Sequence, residues 1–90
     1  MSFPMRAKDI VEGGIYERHY GGEYQYQVHV LRIIVLPHLG RRLFQVTFRD
    51  PKNVRGWVPR HGMRQWWDER AWDKSQGTYY YVQGLYAYSK

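Results

Sequence analysis

Six consecutive residues, Phe44-Gln45-Val46-Thr47-Phe48-Arg49, alternate strictly between apolar and polar. Extended backbone sends successive side chains to opposite faces, so Phe44, Val46 and Phe48 share one side and Gln45, Thr47 and Arg49 the other. A chain carrying this pattern is expected to build a sheet with one buried and one wetted face. The residues after it supply the punctuation. In Asp50-Pro51-Lys52-Asn53 the Asp and Asn side chains can bond nearby backbone, and Pro51 presets one φ angle, as a turn requires. Val54 to Val58 restarts the extended pattern as a neighbouring strand. Pro59, which has no N–H, then ends it or places it at an edge.

The rest of the chain reads in the same terms. Residues 1–8 are expected as a flexible lead-in, and Asp9 to Gly14 as a short turn into a first strand, Ile15 to Tyr20. Gly21-Gly22 marks the loop before a long second strand, Glu23 to Leu36. In that strand Tyr24, Tyr26, Val28 and Val30 share a face. Past Leu31 the inward set becomes Leu31, Ile33 and Val35, with Arg32 turned out, and such a change of phase predicts a bulge or sharp bend. Pro37 to Gly40 closes the run. Arg64 to Trp67 reads as a short strand. Asp68 to Lys74 reads as one or two helical turns, with acids first and lysine last as the helix dipole favours. Ser75-Gln76-Gly77 is a turn. Thr78 to Val82 and Leu85 to Ser89, separated by Gln83-Gly84, form a hairpin or one bulged strand.

Ninety residues make one domain with a small core. There is no cysteine to staple it, so nine Tyr, four Trp and three Phe must supply the buried bulk. The four histidines, His19, His29, His38 and His61, are spaced too widely for a compact metal motif. No metal or other cofactor is expected. No stretch approaches roughly eighteen apolar residues, and MSFPMRAKD lacks the apolar run of a secretory signal. A cytoplasmic protein with no membrane partner is the expectation.

Catalytic sets are missing from the pattern. Ser2, Ser75 and Ser89 stand at termini or a turn, with no His and acid in recognisable order. Asp68, Glu69 and Asp73 read as a helix start rather than an acid/base pair. The paired glycines flank a strand and open no phosphate-binding helix. The protein is therefore read as non-enzymatic.

From Arg32 to Arg64 eight basic residues face Asp50 alone, while the remainder carries six basic and seven acidic residues. The net charge of +6 thus belongs to the middle of the chain, mostly as arginine, whose planar fork matches phosphate and carboxylate and stacks on rings. Such an excess serves either as a solvating face or as a binding one.

A bent second strand followed by VTFRDPKNVRGWVPRHGMR resembles the SH3-like small barrels, and within them Tudor domains. There the third and fourth strands run hydrophobic-x-Phe-x-Asp-Tyr-Gly-Asn, then Val-Pro and a helical turn ending in Leu-Arg. Val46, Phe48, Asp50, Asn53, Val58, Pro59, Met63 and Arg64 fall at matching spacing. The resemblance implies a mainly β fold: a barrel of about five strands over residues 9–67, with 68–90 packed on it as a short helix and aromatic β-hairpin. Pro51-Lys52 stands where those domains carry Tyr-Gly, and that tyrosine is one wall of their methyl-ligand cage. Tyr16, Tyr20, Phe48 and Trp57 are the aromatics left to build one.

Two functions suit the remaining surface. Arg49, Arg55 and Arg60 around Trp57, assisted by Arg41 and Arg42, would neutralise phosphates while the indole stacks a base, making a nucleic-acid binder. Trp57 packed under the C-terminal segment is the structural alternative. The second function is a protein-interaction module or inhibitor that recognises an acidic partner through the same arginines. Trp66, Trp67, Tyr79, Tyr80 and Tyr81 would supply its interface and a route to homo-oligomers. Small basic proteins by which phages disable host machinery have this general look.

Overall fold

The computed structural model describes residues 4–51 and 58–82. Their elements are β1 (Ile15–Tyr20), β2 (Glu23–Leu36), β3 (Arg41–Arg49), β4 (Arg64–Asp68), α1 (Glu69–Lys74) and β5 (Thr78–Tyr81), preceded by a single 3₁₀ turn, Ala7–Asp9. The strands form one antiparallel sheet in the order β4-β3-β2-β1-β5. Among the described residues β4 and β5 are its two edges, so the sheet is open.

β1 and β2 have the bounds expected from the pattern, joined by a two-residue loop. Gly21 and Gly22 there have φ of 62° and 82°. A turn with both central residues left-handed matches strand twist, and glycine adopts it without a Cβ penalty. Along β2 the pairing with β3 slips between Val30 and Arg32. Leu31 is the extra residue, and the buried series Tyr26, Val28, Val30 resumes at Ile33, which packs on the core. Arg32 turns outward as expected. Val35 shares the face of Ile33, opposite Arg42, but is 63% exposed rather than buried.

β3 buries Phe44, Val46 and Phe48 completely or nearly so. The neighbour expected for it, Val54 to Val58, falls at 54–57 outside the described residues, and the described neighbour is another segment. Leu43 to Thr47 pairs with Asp68 to Arg64, and Phe48 continues the ladder by bonding Gly62 and Met63. Trp67 lies opposite Phe44, so its indole enters the core row and fixes this register. The place beside β3 therefore belongs to residues 62–68. Lys52, Asn53, Val54, Arg55 and Trp57 lie outside the described residues, as does Leu85 to Ser89. Val58 is half-buried and Pro59 buried, in irregular backbone.

α1 exists because both ends are handled. The Asp68 side chain accepts the Arg70 N–H at 2.8 Å, Glu69 occupies the first turn and Lys74 the last. Six residues are too few for a stable isolated helix, so packing must hold it. That packing is Trp72. Its ring lies edge-on to Tyr16 (5.5 Å between centroids), Phe44 (5.8 Å) and Trp67 (5.8 Å), and stacks on Tyr79 at 4.2 Å. The indole N–H donates to the Met5 carbonyl at 3.1 Å. Running from β4 to β5, α1 also draws the two sheet edges together until Trp67 and Tyr79 are 6.2 Å apart.

Residues 4–8, expected as part of a free end, are held against the sheet. The Met5 N–H bonds the Tyr79 carbonyl at 2.7 Å, the Ala7 N–H bonds Asp73 Oδ1 at 2.8 Å, and Ala7 and Ile10 are buried. Two apolar side chains and two backbone donors pin a stretch whose composition gave no periodic signal. Gly14 is small for a different reason: the buried Tyr16 ring lies where its Cβ would stand. The Tyr16 hydroxyl in turn accepts the Val11 N–H at 3.0 Å.

Candidate nucleic-acid interface

The side of the sheet turned away from Trp72 is built in cross-strand rows. Arg32, Gln45 and Trp66 occupy one row; His29, Thr47 and Arg64 the next; Gln27 and Arg49 the one after, reached on the far side by Glu17 and Tyr80. Each row follows from the alternation: the residues between these are the buried Val28, Val30, Phe44, Val46 and Phe48. Trp66 is 46% exposed, with exposed Arg64 two residues along β4 and exposed Arg32 two strands across. Arg49 is half-buried. Among the described residues none of these three arginines forms an ion pair. The carboxylate nearest in the rows, Glu17, lies two strands from Arg49 with His19 at 3.2 Å.

The arginines named from sequence divide differently. Arg41 and Arg42, named as assisting cations, are both engaged within the chain. Arg41 Nε donates to Asp68 Oδ2 at 2.6 Å, locking the helix cap to β3. The Arg70 N–H and then Arg41 hold that carboxyl below the usual range. Arg42 turns toward the core, bonding Glu69 at 3.0 Å and the Ala7 and Ile10 carbonyls, with its guanidinium over the Phe44 ring. Arg49 keeps its place on the outer face. Arg60 is exposed in the turn that hydrogen-bonds the end of β3. Arg55 and Trp57 lie outside the described residues. Sequence reasoning missed Arg32 and Arg64 as partners of an indole. The signal was present in Arg64-Gln65-Trp66, whose alternation alone puts Arg64 and Trp66 on one side.

The aromatics also sort by face. Tyr79, expected at an interface, is buried, and Trp67 and Tyr81 pack on the core beside it. Trp66 and Tyr80 are left on the outer side, Tyr80 with its ring edge-on to His19 at 5.1 Å. Of the four aromatics left to form a methyl-ligand cage, Trp57 lies outside the described residues and the other three do not converge. Tyr16 and Phe48 are core residues, and Tyr20 faces the chain's own Arg18. That guanidinium lies between 5.8 and 5.9 Å from the Tyr20, Tyr26 and Tyr79 rings and donates to Gln25 at 2.7 Å and Ser75 at 2.6 Å.

His29, between Ile15 and Thr47 in its row, is kept neutral. Burial, and then the charge of Arg49, lower its pKa from 6.5. The folded protein therefore binds fewer protons at this site than the unfolded chain. Its share of stability is complete above pH 6.5 and is lost as pH falls through the folded value. Urea midpoints measured from pH 7 to pH 5 are expected to fall less in His29→Gln than in the parent. Equal falls would show that His29 carries no part of the dependence.

Chemically, the described part of this face offers three cations, one indole, the Gln45 amide, and His29 opposite Thr47. No group of three His, Asp or Glu residues suited to a metal occurs among the described residues, and no described helix is long and apolar enough to cross a membrane. No protein-family model, curated protein or solved structure matches this chain.

Proposed function

We propose that the protein is a non-enzymatic nucleic-acid-binding module, built as a small SH3-like barrel that presents Arg32, Arg49, Arg64 and Trp66. The approach of Trp67 to Tyr79 across the open side, with α1 bridging β4 and β5, supports the barrel reading. The single observation that carries the function is the outer face itself: guanidinium groups that form no ion pair among the described residues, sharing a face with an exposed indole. Each phosphate neutralised there releases counterions, so affinity is set largely by salt.

Anisotropy of a labelled oligonucleotide titrated from low to high salt tests this reading. Log affinity is expected to fall linearly with log salt, and Arg64→Ala to make the slope shallower by about one. Arg41→Ala, which removes a cation already bound to Asp68, is expected to leave the slope unchanged. Salt-independent binding, or an Arg64→Ala slope equal to the parent's, overturns the proposal. A second reading, a module that docks on an acidic protein, draws support from Trp66 and Tyr80 on the same face, since such rings anchor interfaces. A partner captured from cell extract that survives nuclease treatment and is lost on Trp66→Ala would favour it.

A further inference from the structure

We infer that the outer face takes single-stranded nucleic acid and discriminates against duplex, an inference that rests on the nucleic-acid reading above. The discriminating residue is Trp66. Its indole stands at the β4 edge of the sheet, 46% exposed, next to Gln45 on β3. A ring so placed gains from a base only by lying against its face. In a duplex those faces are covered by neighbouring pairs, leaving just the ends open. In a single strand every base can turn out onto the indole.

The cations are spaced for the same ligand. Arg64 and Trp66 are two residues apart on one strand, about 7 Å. Arg32 lies across two strand spacings from Trp66, about 10 Å. A base stacked on the indole thus has a guanidinium within reach along the strand and another across it, so the phosphates on both sides of that nucleotide can be met. Gln45, between Arg32 and Trp66 in the row, places an amide beside the stacked base. An amide donates and accepts, so it accommodates any base edge and imposes little sequence preference. The described part of this face carries no helix to enter a major groove, since α1 lies on the opposite side with Trp72 in the core.

The test uses the full chain, a labelled twelve-nucleotide mixed-sequence single strand and a blunt hairpin duplex of matching length, at one fixed salt concentration. The single strand is expected to bind at least tenfold tighter than the duplex. Trp66→Ala should weaken single-strand binding about tenfold and leave duplex binding within twofold. Arg64→Ala should weaken both. Because Trp66 is exposed, its variant is expected to fold, which far-ultraviolet circular dichroism checks. Equal affinity for both ligands, with normal salt dependence and no effect of Trp66→Ala, would overturn strand discrimination and leave the nucleic-acid reading standing. Binding of neither would overturn both.

Discussion

Trp72→Ala is expected to remove a large part of the stability of this protein. Truncating a buried Trp costs about 3–5 kcal/mol, while a chain of this length has a total of about 5–13 kcal/mol. The upper half of the cost range applies here for two reasons. The indole is 2% exposed and touches four aromatic residues from β1, β3, β4 and β5, so no single neighbour can collapse into the space. It also satisfies the Met5 carbonyl, which would be left without that donor. Because α1 has no other buried side chain, losing Trp72 releases the helix and the tie between the sheet edges together. Urea denaturation followed by near-ultraviolet circular dichroism should show a strongly lowered midpoint for Trp72→Ala, with Trp72→Phe between it and the parent. A loss below about 1 kcal/mol would mean that the helix is not what closes the core.

Arg42→Ala is expected to cost about 2–3 kcal/mol and to leave nucleic-acid affinity unchanged in the fraction that stays folded. The side chain is 26% exposed, so its ion pair with Glu69 is partly screened and counts for less than a buried one. The larger part comes from what its fork holds in one place: Glu69 at the start of α1 and the carbonyls of Ala7 and Ile10 in the N-terminal segment. Removing it strands those acceptors. Arg42→Lys should recover only part of the loss, since one ammonium cannot span acceptors on two elements in the plane a guanidinium does. Denaturation midpoints for the three proteins, beside their salt slopes for oligonucleotide binding, decide the assignment. Unchanged stability with a slope shallower by about one would return Arg42 to the binding face.

The two variants mark where local pattern stopped being informative. Phe44, Val46 and Phe48 could be assigned to the core from alternation because a strand has a period of two and one face must be dry. The bulge after Val30 was readable for the same reason, since the apolar series changes phase there. Asp68 and Lys74 announced α1 through the charge order of a helix. None of these required knowing what lay across the chain. Arg42 is different. In sequence it is one of a basic pair, and only the approach of Glu69, 27 positions later, turns it from a surface cation into a tether. Trp66 and Trp67 are adjacent and chemically identical, and only the register of β4 on β3 decides which packs on the core.

What the amino-acid order determined by itself is the material of the sheet: the bounds of β1 and β2, the wet and dry sides of β3, the cap of α1, and a basic middle. These follow from short-range rules, in which each residue's role depends on neighbours a few positions away. The tertiary structure alone decided which strand lies beside β3, which arginines are already spent on carboxylates, and which indole faces water. Those outcomes depend on contacts between residues far apart in sequence, whose free energy exists only once the chain has closed on itself. The candidate interface belongs to this second class, since Arg32, Arg49, Arg64 and Trp66 become one surface through strand pairing.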